Sequence, residues 1–287
     1  HIPVTASAFD RSEMNGFRCV KSLTAETFPE QLIQPLPLAN FRDYNQEKPV
    51  GDETFELFRQ FYAYENKDLN PVVEDVDEAS EYWVKQKITF DAAYGNERVI
   101  TYLFLPKMAH PPYHAVVYYP GSGAITRTSS TQLPMGSFEF IMKTGRALLY
   151  PIYKSTYERR DGYVHPPMNM QSYQTHNVFW YKDLARSVDY LLTRPDIDGD
   201  KLAYYGYSWG AERGPVYLAL ENRFKLGILV VGGFILLPET KQAPQADQLN
   251  FAPRVKMPIL MINGRFDYIF PYERSQIPMF RFLGTPD

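Results

Sequence analysis

The chain has 287 residues, 45% hydrophobic and 22% charged, enough for one large domain with a full core plus appendages. Its net charge of −3 leaves no electrostatic footprint for nucleic acid, and no apolar run is long enough to span a bilayer, the most apolar being residues 226–237. The single cysteine, Cys19, excludes an internal disulfide, and the N-terminus does not read as a signal peptide, so a cytoplasmic location is the expectation.

Residues 23–80 read as a linker and short helical lead-in. Pro29, Pro35, Pro37 and Pro49 punctuate the linker, and Phe55, Leu57, Phe58, Phe61 and Tyr62 then recur at helical spacing, with Asp52 as the expected N-cap. Asn70-Pro71 breaks the pattern. Glu74, Asp75, Asp77, Glu78 and Glu81 follow as an acidic run without EF-hand spacing, which favours a solvated face over a metal site.

From residue 81 onward the pattern is α/β. Residues 83–90 and 99–105 have strand composition around a turn at 93–96, predicting an antiparallel opening pair. Residues 114–119 (HAVVYY) predict a strand buried on both faces, followed at once by Pro120-Gly121-Ser122-Gly123. A helix is predicted over 138–143, a strand over 146–150 and an amphipathic helix over 177–192, with Leu184, Ala185, Val188, Leu191 and Leu192 on one face. Further strands are expected near 202–205, after a turn at Asp198-Gly199-Asp200, and at 226–231 and 259–262. Strands alternating with helices predict a mostly parallel sheet with right-handed crossovers, its functional groups at the carboxyl ends of the strands.

Gly206-Tyr207-Ser208-Trp209-Gly210 sits between a predicted strand and a predicted helix that Gly214-Pro215 should make irregular in its first turns. This G-x-S-x-G spacing is that of a nucleophile elbow, in which crowded backbone demands glycine and the serine is held exposed at a helix N-terminus. Ser208 is therefore the expected nucleophile, and the Trp209 and Ser122 amides the expected oxyanion donors. The strand 259–262 and the loop Asn263-Gly264-Arg265-Phe266 deliver Asp267 as the expected triad acid, with Glu273 as the nearest rival in a helix start opened by Pro271. Gly121, Gly123, Tyr207 and Arg213 are the expected pocket residues, and specificity is expected from the insertion 153–173 and the loop 233–254. Arg159, Arg160 and Arg213 are candidates for an acid group on the substrate. No motif implies a cofactor or a metal.

GYSWGA at 206–211, PGSG at 120–123, the run 183–206 and NGRFD at 263–267 together resemble the α/β-hydrolase superfamily, in its dienelactone-hydrolase, acetyl-esterase and prolyl-oligopeptidase-like branch. The resemblance covers residues 81–287 and implies an ester hydrolase with a small-molecule substrate, with a peptidase as the alternative. The family order Ser, Asp, His implies a histidine after Asp267, yet the five histidines are His1, His110, His114, His165 and His176. The expectation is a domain lacking its last strand and helix, with the histidine beyond Asp287; His165 and His176 are the substitutes to check. Residues 12–20 (SEMNGFRCV) resemble the closing strand of the formylglycine-generating-enzyme (sulfatase-modifying-factor) family, which implies that residues 1–22 end a preceding domain and that Cys19 is a strand residue. That layout resembles multidomain bacterial Ser/Thr kinases and implies a further alternative, a non-catalytic ligand-binding or interaction module.

Overall fold

A computed structural model describes residues 41–167 and 169–285, so the expectations for residues 1–22, Cys19 and His1 lie outside the described residues. The strands are β1 (Val72–Asp77), β2 (Trp83–Asp91), β3 (Arg98–Pro106), β4 (Tyr113–Tyr119), β5 (Ala147–Ile152), β6 (Ile197–Tyr207), β7 (Phe224–Val230) and β8 (Ile259–Ile262). They form one sheet in the order β1-β2-β3-β5-β4-β6-β7-β8. β1, β2, β3 and β5 pair antiparallel, whereas β5, β4, β6, β7 and β8 run parallel. The helices are α1 (Asp52–Gln60), the short turns α2 (Gly123–Thr126) and α3 (Glu139–Met142), α4 (Met170–Leu192), α5 (Trp209–Leu220) and α6 (Ile277–Phe282).

β4 shows why the central strands read as unbroken apolar runs. Ala115, Val117 and Tyr119 point into a core shared with α4 and α5, while Val116 and Tyr118 point into a second core with Phe138, Ile141 and Met142. A strand covered on both faces has no polar alternation to show.

Four expectations change. The lead-in is not only linker and helix: Val72–Asp77 is an edge strand, and carboxylates of its solvated face meet lysines of β2 across the ladder, Glu74 to Lys87 at 2.8 Å and Asp77 to Lys85 at 2.9 Å. α1 begins with Gly51 as N-cap, and Asp52 instead reaches Arg254 at 2.6 Å. Asp198-Gly199-Asp200 lies inside β6, whose pairing with β4 shifts register there. α4 starts at Met170, seven residues earlier than the apolar stripe indicates, because Asn169 caps it by accepting from the Ser172 amide at 2.9 Å.

Residues 41–80, expected as linker and lead-in, also pack into the main core. Tyr44, Phe55 and Tyr62 are buried, and Arg42 is paired with Asp247 at 2.8 Å.

Candidate active site

β6 ends at Tyr207, and α5 starts at Trp209, which leaves Ser208 alone at the turn with φ 52° and ψ −108°. That is a conformation ordinary side chains avoid, and strain of this kind costs about 1–3 kcal/mol. Close packing imposes it. A Cβ on Gly206 would stand 2.5 Å from the Gly210 carbonyl, and one on Gly210 would stand 2.3 Å from the Tyr119 carbonyl oxygen. The turn is then pinned by hydrogen bonds from the Ser208 amide to the Val230 carbonyl, 2.8 Å, and from the Gly210 amide to the Pro120 carbonyl, 3.0 Å. Val231, at φ 56°, is strained in the same way just after β7, while Asn70, Ser155 and Tyr157 hold positive φ elsewhere among the described residues.

The loop after β4 lies against the serine. A Cβ on Gly121 would be 3.4 Å from the Ser208 Cβ and 3.3 Å from the Tyr207 ring, whereas Gly123 faces open space. Ser122 is the N-cap of α2, and Trp209 opens α5. Amides at such positions lack acceptors within their own helix and point outward with the positive end of the helix dipole. α5 runs continuously through Gly214-Pro215, contrary to the expected irregular start, although Pro215, its seventh residue, has no N–H to donate; Gly214 packs on Leu229.

Asp267 follows β8 at the same edge of the sheet, with β7 between its strand and that of Ser208. It is half-buried, and its Oδ1 accepts from the Ile269 and Phe270 amides at 2.8 and 2.9 Å. Glu273 lies in the turn Tyr272–Gln276 that leads into α6.

The described histidines divide clearly. His110 and His114 sit at the amino end of β4, roughly 20 Å of strand from its carboxyl end. His176 has both ring nitrogens engaged, Nδ1 with the Ser172 carbonyl at 2.7 Å and Nε2 with Asp161 at 2.9 Å. The second of these bonds acts on Asp161: burial pushes its carboxyl up, but hydrogen bonds from His176 and the Tyr163 amide help to outweigh burial and bring it down to about 2. His165 lies nearest the elbow, its ring 6.1 Å from that of Trp209. Burial first and the Arg213 cation second push His165 down to about 4, and among the described residues no carboxylate orients it.

No family model matches the chain, and no curated protein does. Among solved structures it is similar to an acetyl xylan esterase from Paenibacillus sp. R4, with 18% identity and a TM-score of 0.64 over 88% of this chain and 91% of that one. It is also similar to acetyl xylan esterase 1 from Thermoanaerobacterium sp. JW/SL YS485, with 13% identity and a TM-score of 0.63 over 83% and 86%. A third similar structure is the Pyrococcus horikoshii acylaminoacyl peptidase, with 14% identity and a TM-score of 0.56 over 72% of this chain and 36% of that one. The chain has an α/β-hydrolase fold.

The insertion after β5 is clamped to α4. Arg159, a candidate substrate ligand by sequence, is buried and committed: it donates to Asp183 at 2.5 Å, to the Ile152 carbonyl at 2.9 Å and to the Tyr94 hydroxyl at 2.7 Å. Arg160 is exposed. A cleft of ≈ 1030 Å³ lined by Tyr64, Asn96, Glu97 and Lys182 opens beyond β4 and β5 from Ser208, so it is separate from the elbow. No helix among the described residues is long and apolar enough to cross a membrane.

Sequence reasoning missed Glu212. It is buried one turn into α5, with Arg213 Nε donating to it at 3.0 Å. Burial is the larger influence and raises its carboxyl to about 7, although the Arg213 cation pulls it down. Folding thus raises Glu212 above the ordinary carboxylate range, so between about pH 4 and 7 the folded chain keeps a proton the unfolded chain has lost. This contribution to stability is fully present below about pH 4 and is lost as pH rises through 7. Glu212→Gln is expected to remove a decline of about 3 kcal/mol between pH 5 and 8, read as urea midpoints. Equal pH slopes in the two proteins would defeat this assignment.

Proposed function

We propose that this chain is a serine hydrolase that cleaves a carboxylic ester through an acyl-enzyme, with Ser208 as nucleophile. The observation that carries the reading is the strained backbone of Ser208, φ 52° and ψ −108°, at the start of a helix and against Gly121. Backbone strain of that kind persists only where the surroundings over-determine it, and it clusters at functional sites.

In this reading Ser208 Oγ attacks the ester carbonyl carbon while its proton passes to a histidine. The carbonyl oxygen gains the negative charge and is held by the Trp209 and Ser122 amides, each donor being worth about 3 kcal/mol. The alcohol leaves with the proton, and water repeats the sequence in reverse to release the acid. Asp267 orients the histidine, which we place outside the described residues and expect beyond Asp287. Gly121, Gly123 and Tyr207 border the acyl group. The names of two similar structures make acetate the first acyl group to try.

The test is hydrolysis of p-nitrophenyl acetate and butyrate by the 287-residue chain and by a C-terminally longer form, each beside Ser208→Ala and His165→Ala. Serine-dependent turnover confined to the longer form supports the proposal in full. Turnover in the 287-residue chain that disappears with His165→Ala would transfer the base to His165. No serine-dependent turnover in either form would favour a ligand-binding module.

A further inference from the structure

In and beneath the insertion, Arg213 Nη2, the Tyr163 and Tyr173 hydroxyls and His165 Nδ1 have no hydrogen-bond partner among the described residues, and the neighbouring Tyr119 and Tyr217 hydroxyls, which face each other, make no ordinary hydrogen bond either. Arg213 and Tyr173 are 0% and 1% exposed. The four belong together. The Arg213 guanidinium lies 5.2 Å over the Tyr173 ring, and its charge acts on Tyr163, Tyr173 and His165 alike. The Tyr173 hydroxyl faces that guanidinium at a geometry short of a hydrogen bond. Tyr163 packs on Trp180 at 5.0 Å, Trp180 on Trp209 at 4.7 Å, and His165 stands 6.1 Å from Trp209. The cluster therefore adjoins the residue that follows Ser208.

Its chemistry is that of a donor set. Arg213 Nε is taken by Glu212, and Nη1 by the Asn177 side chain at 2.9 Å and the Ala246 carbonyl at 3.2 Å. Asp247, the other carboxylate acting on Tyr173, is held by Arg42 at 2.8 Å. The two N–H groups of Nη2 thus meet no counter-charge of their own. Two hydroxyls, and a neutral imidazole in its Nδ1–H tautomer, are donors as well. A buried donor left unsatisfied costs about 1–3 kcal/mol, so native proteins rarely gather four. A carboxylate, flat and carrying four lone-pair sites, is the acceptor that answers a guanidinium edge together with several hydroxyls.

We propose that Arg213, Tyr163, Tyr173 and His165 form a carboxylate-binding subsite that holds an acid group of the substrate while its ester faces Ser208. The inference rests on the esterase reading only for that link to Ser208. Binding itself needs no turnover.

Calorimetric titration of the Ser208→Ala chain with monomethyl succinate, glutarate and adipate tests it, with methyl butyrate and inorganic phosphate as comparison ligands. At least one half-ester is expected to bind with Kd under about 10 mM, while methyl butyrate and phosphate do not. Tyr163→Phe and Tyr173→Phe are each expected to weaken that binding about tenfold with Tm unchanged or raised, since each removes a hydroxyl that has no protein partner. Four results would overturn the subsite: no half-ester binding, equal binding in the tyrosine variants, tighter binding of phosphate, or a fall in Tm without a change in binding. The last would assign the hydroxyls to internal water. Turnover of p-nitrophenyl acetate by the 287-residue and the longer forms is read separately: its absence from both beside retained half-ester binding defeats the esterase reading alone, and the converse defeats the subsite alone.

Discussion

Ser208→Gly is expected to abolish serine-dependent ester turnover and to raise the stability of the fold. Ser208 holds φ 52° and ψ −108°, a region where a Cβ is crowded and glycine is not. Releasing the strain is worth about 1–3 kcal/mol, from which the greater freedom of glycine in the unfolded chain takes back roughly 0.5–1 kcal/mol. A net gain of about 1 kcal/mol, a rise of a few degrees in Tm, should remain. Ser208→Ala separates the two effects: it removes the nucleophile but keeps the Cβ and hence the strain. Turnover should fall by on the order of 10⁴-fold or more in both variants, as when a triad serine is removed elsewhere. Stability should rise only in the glycine variant. An equal gain with alanine would show that the serine side chain, not its backbone, is the source of the strain.

The elbow was legible in sequence because its steric demands are local. Gly206 and Gly210 are required by atoms 2.5 and 2.3 Å away, and that crowding leaves a five-residue signature. The central strands were legible because burial on both faces leaves apolar runs such as that of β4. β1 was not, since a strand at the sheet edge tolerates six exposed or half-exposed carboxylate and valine positions in a row, and its carboxylates read only as a solvated face. The first turns of α4 carry Gln171, Ser172 and Thr175 and depend on the cap at Asn169, so no apolar stripe marks them. Most of the polar interior was hidden for a different reason. Asp183 and Arg159 are 24 residues apart, Arg213 and Asn177 are 36 apart, and Arg42 and Asp247 are 205 apart. Charged residues in such pairs look like surface or ligand contacts until the chain is folded, because nothing in their neighbours marks the partner.

Arg159→Ala is expected to destabilise the chain by about 3–5 kcal/mol, the range for breaking a buried ion pair by removing one partner. Asp183 is 0% exposed and would keep only the Lys154 amide, 2.8 Å, and the Tyr94 hydroxyl, 2.9 Å, as donors. A buried carboxylate stripped of its cation either stays charged at high cost or takes up a proton. The companion variant Arg159→Leu with Asp183→Leu should recover most of the loss, because replacing both charges by apolar side chains removes the desolvation penalty along with the attraction. Urea denaturation of the three proteins distinguishes this from a surface pair, for which the single substitution would cost under about 1 kcal/mol. The clamp also reaches the proposed site. Arg159 ties residues 152–159 to α4, and the same segment leads directly into Tyr163 and His165. Arg159→Ala in moderate urea, with the fold still intact, should therefore weaken half-ester binding before it affects the geometry of Ser208, which is set by β6, β7 and the Pro120 carbonyl. If binding and global unfolding instead coincide at every urea concentration, the insertion is no more than a part of the core.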